Sequence, residues 1–242
     1  ASDSYIAQKR KSCEEVGITS VHRHLTERTT KEDLLHVVDE LNRDTMVTGF
    51  IVQLPLPARL NGAVEEVIRA IDPAKDIDGF TPVNLGKTFL GPAFEDLPPA
   101  TPAGVIMLLE HYGIDIQGKH AVVVGHSNIT GKPLAAMLLN RNATVTVCHK
   151  YTAALAEITR QADILCSAVG KPGLITKDMV KPGTVVIDIG TTRTDAGLKG
   201  DVDFEAVREI ASAITPVPGG IGPMTVASLI RNCIRAAQMR NR

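Results

Sequence analysis

Short, almost wholly apolar segments recur at regular intervals through the second half of the chain. These segments are His120–Val124, Ala143–Val147, Ile164–Val169 and Val185–Ile189. Helix-type sequence lies between and after them, at Pro133–Leu139, Ala153–Arg160 and Phe204–Ile210. Runs of this length that are apolar on both faces are typical of parallel strands covered by helices on two sides. The second half is therefore predicted to form a doubly wound, Rossmann-like α/β sheet.

The first half also alternates between helical and extended patterns, which predicts a second open α/β unit. Helices are predicted at Ser2–Val16, Lys31–Leu41 and Ala63–Ile71, and strands at Ser20–Leu25 and Val47–Val52. Prolines and glycines punctuate Asp72–Pro102, as in a connection between domains. We expect a first domain over residues 1–101 and a dinucleotide-binding domain over residues 102–222. The C-terminal helix, within residues 223–242, is expected to return to the first domain.

Composition and charge argue against several classes of partner. The chain of 242 residues is 44% hydrophobic and has a formal net charge of −1, with its Lys and Arg residues scattered. No broad basic surface is predicted, which argues against a nucleic-acid partner. No apolar run approaches the ~20 residues that span a bilayer, and the start ASDSYIAQKRK lacks a hydrophobic signal core. A soluble, cytoplasmic protein that acts on a small molecule is expected, with no membrane contact.

The cysteines and histidines predict no metal site. Four cysteines lie far apart and no two form a C-x-x-C pair, so neither a disulfide framework nor a zinc site is indicated. His22 and His24 would share one strand face. No nearby cysteine or carboxylate set completes a coordination sphere for them, so an ordinary surface strand is the better interpretation.

The segment HAVVVGHSNITGKP has the order expected of a dinucleotide site. Strand His120–Val124 leads into Gly125, and Gly131 and Pro133 open a helix whose N-terminal amides can hold a pyrophosphate. The segment is not G-x-G-x-x-G, and a plain structural turn would explain its two glycines equally well. The segments that follow it in the sequence must decide between a dinucleotide site and a structural turn.

The end of the next predicted strand indicates which cofactor is bound. NAD-binding folds usually place an Asp or Glu there to accept hydrogen bonds from the adenosine ribose. This chain has Cys148–Tyr151 instead, with the cation Lys150 and no carboxylate. A ribose 2′-phosphate would be attracted, so NADP is preferred over NAD; the alternative is a solvated loop lysine.

Candidate catalytic residues lie in the first half. Tyr5 and Lys9 are four apart on a predicted helix and so share one face. Lys9 can transfer protons if burial or a neighbouring cation lowers its pKa, although a solvated lysine is the ordinary interpretation. Gln53 lies at a strand's carboxyl edge, where open α/β sheets bind ligands. The segment Lys75–Gly79 carries two carboxylates, which an Asx turn would also explain.

Taken together, these segments resemble the bifunctional methylenetetrahydrofolate dehydrogenase/methenyltetrahydrofolate cyclohydrolases. The motifs Y-x-x-x-K, VQLPLP, KDIDG, TPxG, VVVGxSxxxGxP, VIDIG and TPVPGGIGPMT occur in the order typical of that family. The match covers essentially the whole chain. VQLPLP, KDIDG and PVPGGIGPMT are specific as a set.

The resemblance implies two activities in one cleft. NADP would oxidise 5,10-methylenetetrahydrofolate to the 5,10-methenyl compound, which is then hydrolysed to 10-formyltetrahydrofolate, a one-carbon donor of purine biosynthesis. The resemblance makes Lys9 the key catalytic residue, with Tyr5 and Gln53 in support. Asp78 would hold the pterin ring, and Asp76 has the weaker claim. A cytoplasmic homodimer is implied as well.

The remaining residues that the resemblance assigns divide between the two ligands. On the folate side they are Tyr5, Gln53, Leu54, Asp78, Pro218, Gly219 and Gly220. Along the cofactor they are Thr101, Gly125, Ser127, Gly190 and Thr191. The strand-end argument adds Lys150, and the position of the family's arginine adds His126.

The chain departs from the family pattern at two places. The family's usual G-R-S is Gly125–His126–Ser127 here, so the arginine that would grip the 2′-phosphate is replaced by a histidine. His126 is a weaker cation near neutral pH, and Lys150 is expected to compensate from the neighbouring strand end. The family's first helix and strand are also expected to lie before residue 1.

Two other functions fit parts of the sequence. A different two-domain NAD(P) dehydrogenase, of the shikimate or amino-acid type, would share the doubly wound half, but VQLPLP and KDIDG argue against it. A non-catalytic dinucleotide-binding module would keep the fold, and Lys9→Met would then leave no activity to lose.

Overall fold

The computed structural model describes residues 2–26, 28–195 and 197–240, and their side chains from residue 6 onward. Its centre is a sheet of five parallel strands in the order β2-β1-β3-β4-β7. The strands of the sheet are β1 (His120–Val124), β2 (Thr144–Cys148), β3 (Ile164–Ser167), β4 (Val185–Asp188) and β7 (Ala213–Ile214). An antiparallel hairpin is formed by β5 (Thr192–Thr194) and β6 (Gly197–Lys199). The predicted parallel α/β sheet is confirmed, while the hairpin and the short strand β7 were not predicted.

Helices flank the sheet and build most of the first half. They are α1 (Ser2–Glu15), α2 (Lys31–Arg43), α3 (Val64–Ala70), α4 (Pro82–Leu90), α5 (Ala100–His111), α6 (Gly131–Leu139), α7 (Leu155–Thr159), α8 (Phe204–Val207) and α9 (Ile221–Arg240). Short 3₁₀ turns lie at Ala58–Ala63, Pro92–Phe94 and Lys177–Met179. No helix among the described residues has both the length and the apolar character to cross a membrane.

Two hydrophobic cores lie on opposite faces of the sheet. Successive side chains of a strand point to opposite faces, and in β1 Ala121 and Val123 join one core while Val122 and Val124 join the other. Helices α5 and α6 contribute Leu109 and other apolar residues to the first core. The strands are therefore covered on both sides, as their apolar sequences predict.

The first half has its own apolar cluster, but its predicted strands do not form a ladder. Leu34 and Val38 of α2 pack with Val67 of α3 in this cluster. Residues 20–25 are assigned to no strand, and Val21 is 82% exposed. Residues 47–52 make one isolated parallel bridge, between Phe50 and Asp76. An extended segment is a strand only when a second segment pairs with it through backbone hydrogen bonds. For these two segments, the described residues show such pairing at Phe50 alone.

The segment predicted as a loose connection contains helix α4. Pro82 occupies its first turn, and the Thr81 hydroxyl before it accepts a hydrogen bond from the Asn84 N–H at 3.4 Å. A threonine cap followed by proline is a helix start signal, and the surrounding prolines and glycines obscured it.

Helix α9 returns to the first half, as expected, and begins at Ile221, two residues before the predicted range 223–242. It packs along α5 and also contacts α1. The Asn232 amide, which is fully buried, donates to the carbonyl oxygens of Ile77 at 2.9 Å and Pro98 at 2.8 Å. The last helix thus holds the turn around Asp78 in place through the backbone of Ile77 and Pro98.

Candidate active site

Helix α1 and the segment after residue 52 bring two predicted catalytic residues together. The Lys9 ammonium donates to Gln53 Oε1 at 3.0 Å, although 44 residues separate the two in sequence. Gln53 Nε2 donates to the Leu54 carbonyl at 2.8 Å, which fixes the amide so that its oxygen faces Lys9. The side chain of Tyr5 lies outside the described residues, while its backbone belongs to α1. The role of Tyr5 therefore stays a prediction.

Burial shifts the pKa values of Lys9 and Asp78 in opposite directions, and the charge of each group partly opposes the shift of the other. Burial lowers the pKa of Lys9, and the negative charge of Asp78 partly opposes that change. Burial raises the pKa of Asp78 to about 7, against the positive charge of Lys9 and with a small contribution from Asp76. A lowered amine pKa beside a raised carboxyl pKa is an arrangement suited to proton transfer near neutral pH.

The two carboxylates of KDIDG have different environments. Asp76 is 1% exposed and accepts hydrogen bonds from the backbone N–H groups of Gly79, Phe80 and Thr81. It also accepts one from the Asn84 side chain at 3.0 Å. These donors saturate its oxygens, so Asp76 stabilises the turn, and Asp78 is the carboxylate left for a ligand.

We expect Asp78→Asn to stabilise the protein in a pH-dependent way. The carboxyl has a pKa of about 7 in the folded state against an ordinary value of 3.8. Between these values the folded protein binds more protons here than the unfolded chain, so this group's contribution to stability declines as pH rises through that window. The melting temperature of the variant should match wild type near pH 4 and exceed it by several degrees above about pH 7, at roughly 2–4 °C per kcal/mol.

Calorimetry at about pH 4, 6 and 8 measures this difference. Asp39→Asn is the control, because Asp39 is half-exposed on α2 beside Arg43. A stabilisation that is the same at every pH would show that the charge of Asp78 is not its cause.

The glycine loop between β1 and α6 forms a cradle. A Cβ atom on Gly131 would overlap the Gly125 carbonyl, and one on Gly125 would lie 2.6 Å from the Ala168 carbonyl. Only glycines allow β1, α6 and the loop after β3 to approach so closely. The Ser127 hydroxyl accepts from the N–H groups of Thr130 at 3.2 Å and Gly131 at 3.4 Å. It therefore lies over the start of α6, where a phosphate would bind.

The adjacent ends of β1 and β2 carry cationic and aromatic side chains. The rings of His126 and His149 lie 4.9 Å apart, and the ring of Tyr151 lies 6.0 Å from that of His149. The Lys150 ammonium lies 4.8 Å from the Tyr151 ring centroid. His149 was not singled out in the sequence. The same rule that selected Lys150, a position at the end of the second strand, would have found it.

These residues fit a dinucleotide with a 2′-phosphate. The cradle leaves the space that a Cβ would fill, and the described residues 148–152 include no carboxylate that would repel the phosphate. His126, His149 and Lys150 offer basic groups at the place where an adenosine ribose binds in such folds. Among the described residues, no group of His, Cys, Asp and Glu is arranged to hold a metal ion.

The other assigned residues lie along the sheet's carboxyl edge or beside it. Thr101 lies in the first turn of α5, and its hydroxyl accepts from Thr225 Oγ1 of α9 at 3.1 Å. Gly190 is buried after β4, with its N–H bonded to the Ser167 carbonyl at 3.1 Å, and Thr191 is exposed. Pro218 and Gly219 are exposed and Gly220 partly so, directly before α9.

Comparison with known families matches both halves of the chain. The family model described as "Tetrahydrofolate dehydrogenase/cyclohydrolase, catalytic domain" matches residues 1–78. The description "Tetrahydrofolate dehydrogenase/cyclohydrolase, NAD(P)-binding domain" matches residues 99–241. The resemblance drawn from the motifs is thereby confirmed, and the shikimate-type and non-catalytic alternatives are not favoured.

Individual relatives agree over nearly the whole length. The bifunctional protein FolD of Wolinella succinogenes is 54% identical over 241 residues, which are 99% of this chain and 83% of that protein. The crystal structure of the FolD methylenetetrahydrofolate dehydrogenase/cyclohydrolase of Campylobacter jejuni has a TM-score of 0.92 at 46% identity, covering 99% of this chain and 84% of that one. The Trypanosoma brucei enzyme, solved with NADP and an inhibitor, has a TM-score of 0.93 at 38% identity, covering 100% and 84% of the two chains. The chain belongs to the tetrahydrofolate dehydrogenase/cyclohydrolase family.

Proposed function

We propose that this protein oxidises 5,10-methylenetetrahydrofolate with NADP and hydrolyses the 5,10-methenyl product to 10-formyltetrahydrofolate. The observation that carries the proposal is the contact between Lys9 and Gln53 beside Asp78, in a chain of this family. The family match supports the pair of activities, and the Trypanosoma brucei relative was solved with NADP.

In the oxidation, a hydride leaves the methylene bridge of the folate and NADP accepts it. The protein's task is to hold the two ligands face to face. We assign the 2′-phosphate to His126 and Lys150, the pyrophosphate to the loop of Gly125 and Ser127, and further contacts to Thr101, Gly190 and Thr191. Asp78 can accept hydrogen bonds from the pterin's amino and ring N–H groups.

In the hydrolysis, water attacks the cationic methenyl carbon, and a C–O bond forms as a proton is lost. The neutral amine of Lys9 can accept that proton, because burial lowers its pKa. Cleavage of the bond from the carbon to N5 leaves the formyl group on N10. N5 takes up a proton that the Lys9 ammonium can return, and the hydroxyl proton of the intermediate is released to solvent as the carbonyl forms. Gln53 holds the Lys9 nitrogen in place through its side-chain oxygen. Leu54 and Pro218 to Gly220 would border the folate.

The function is tested by a spectrophotometric assay with methylenetetrahydrofolate and each nicotinamide cofactor. Formation of NADPH followed by loss of the methenyl absorbance is expected. A protein that forms no reduced cofactor and leaves the methenyl compound unchanged would contradict the proposal.

Lys150→Glu is expected to shift the cofactor preference toward NAD. A cation–phosphate hydrogen bond contributes about 1.5–3 kcal/mol, so its loss should lower kcat/KM for NADP roughly ten- to a hundredfold while NAD use scarcely changes. The measurement is the ratio of kcat/KM for the two cofactors. His126→Arg, which restores the family residue, should move the ratio the other way.

Lys119→Glu serves as the matched control, because Lys119 is exposed just before β1, at the opposite edge of the sheet. The assignment of Lys150 to the 2′-phosphate is wrong if two results are found together. These are an unchanged kcat/KM ratio in Lys150→Glu and wild-type use of NAD that equals its use of NADP.

We also propose the domain division of residues 1–101 with 223–242 for folate and 102–222 for NADP. The separate apolar cluster around Val38 and the return of α9 to Ile77 support it. A cytoplasmic homodimer that supplies purine biosynthesis follows from the family resemblance. Strand β2 lies at the edge of the sheet and carries neither charge nor proline, which leaves that edge able to pair with a second copy. Sedimentation equilibrium distinguishes the dimer from a monomer.

A further inference from the structure

Two buried carboxylates at the carboxyl edge of the sheet have no part in the chemistry described above. Asp188 ends β4 and is 3% exposed, and Asp201 follows β6 and is fully buried. Burial of a carboxylate is unfavourable unless hydrogen bonds replace its water. The partners of these two residues therefore indicate what they do.

Asp201 holds the loop that follows β3. Its Oδ1 accepts from the Lys171 N–H at 2.7 Å, and its Oδ2 accepts from the Val169 N–H at 2.8 Å and the Ser167 hydroxyl at 2.9 Å. All three donors belong to residues 167–171, although 30 or more residues separate them from Asp201. One side chain thus sets the conformation of a distant loop.

Asp188 in turn holds Asp201. Its Oδ1 accepts from the Asp201 N–H at 2.9 Å, and its Oδ2 accepts from the Val202 N–H at 3.0 Å. A Cβ on Gly190 would overlap the Asp201 carboxylate, and one on Gly200 would overlap that of Asp188. The two carboxylates therefore pack directly on glycine backbone, where any larger residue would displace them.

The loop that Asp201 fixes borders the proposed cofactor site. The Ala168 carbonyl packs against Gly125 of the glycine cradle. Val169 is 40% exposed at this edge, and the Gly170 carbonyl accepts from Thr192 Oγ1 at 2.9 Å. In open α/β sheets, ligands bind in the crevice outside the carboxyl ends of the strands. The adenosine end is assigned to the ends of β1 and β2, and the loop after β3 lies on the other side of β1, so it would border the nicotinamide half of the cofactor. A displaced loop would move that border.

We propose that Asp201, supported by Asp188, is a positioning residue for hydride transfer, acting through the loop 167–171. This inference rests on the proposed function. Hydride transfer depends on alignment, and a misplacement of about 1 Å can cost on the order of a hundredfold in rate. Hydrolysis at Lys9 needs no nicotinamide alignment. Loss of the Asp201 contacts should therefore lower the dehydrogenase selectively.

The test compares both activities in Asp201→Asn. The amide keeps the shape but replaces one carboxylate oxygen with an NH2 group, which sets a donor against either the Lys171 N–H or the Val169 N–H. The dehydrogenase kcat should fall roughly ten- to a hundredfold, with the KM for NADP changing less than kcat and the cyclohydrolase rate nearly unchanged. Asp203→Asn is the matched control, because Asp203 is exposed two residues along and its side chain caps no helix.

A readout independent of activity is hydrogen exchange in segment 167–171, which should become faster in Asp201→Asn and stay unchanged in Asp203→Asn. If Asp201→Asn does not fold, Ser167→Ala decides, because it removes only one of the three donors. It should lower the dehydrogenase alone, by a smaller factor. Equal losses of both activities in a folded variant, or no loss in either, would overturn the proposal. A wild-type protein without dehydrogenase activity would instead overturn the proposed function.

Discussion

Lys9→Met is expected to abolish the cyclohydrolase activity while leaving measurable dehydrogenase activity. Positioned acid–base groups contribute about 10²- to 10⁴-fold, and methionine can neither accept nor donate a proton, so the rate of methenyl hydrolysis should fall by that factor. Hydride transfer depends mainly on alignment, and methionine retains most of the lysine's length. The measurement is the decay of the methenyl compound beside the formation of NADPH.

Lys11→Met provides the control on the same helix. The Lys11 side chain is 77% exposed and lies 3.9 Å from Glu15, so its loss should change neither activity. If Lys9→Met reduces both activities equally, the division of labour is wrong. If it reduces neither, Lys9 is not catalytic.

Asp78→Ala should damage both activities, because the same pterin contact serves both steps. A hydrogen bond to a charged group contributes about 1.5–3 kcal/mol, so the loss of two corresponds to roughly 10²- to 10⁴-fold in kcat/KM for each folate substrate. The expected pattern is a rise in folate KM and a fall in kcat, while the Kd for NADP is unchanged. Steady-state kinetics with both folates and calorimetric NADP titration measure these quantities.

Asp39→Ala, a half-exposed position on α2, should leave both activities at the wild-type level. Asp76→Ala should differ again, because it removes the acceptor of four hydrogen bonds and so lowers the melting temperature first. If Asp78→Ala has wild-type kinetics, Asp78 does not bind the folate and KDIDG is an ordinary turn.

The parallel sheet could be predicted because its strands are apolar on both faces. Val122 and Val123 point to opposite sides of the sheet, yet both are fully buried, and only a helix-covered strand satisfies that pattern. The extended segments 20–25 and 47–52 were also predicted as strands from local pattern alone. A strand also needs a neighbour, which local pattern cannot supply, so the described residues show one bridge at Phe50 where two strands were predicted.

The site could be predicted as a set of segments, but not as an arrangement of atoms. Sequence places Asp76 and Asp78 in one turn and cannot determine which oxygens are already bonded. That distinction depends on backbone N–H groups that converge only after the turn and α4 have formed. Asp201 was missed for the same reason, since its partners lie 30 or more residues away and all but Ser167 donate through the backbone.

The buried amide of Asn232 has a consequence for the order in which the protein folds during its synthesis. It bonds the Pro98 carbonyl across 134 residues of sequence. At about 5–20 residues per second, the ribosome needs roughly 7–27 s to travel from one to the other. During that interval the turn around Asp78 has emerged, but the helix that holds it from behind has not. The first half of the nascent chain can complete its folate site only after α9 has been synthesised. A chaperone that shields this half would therefore act on the chain during translation.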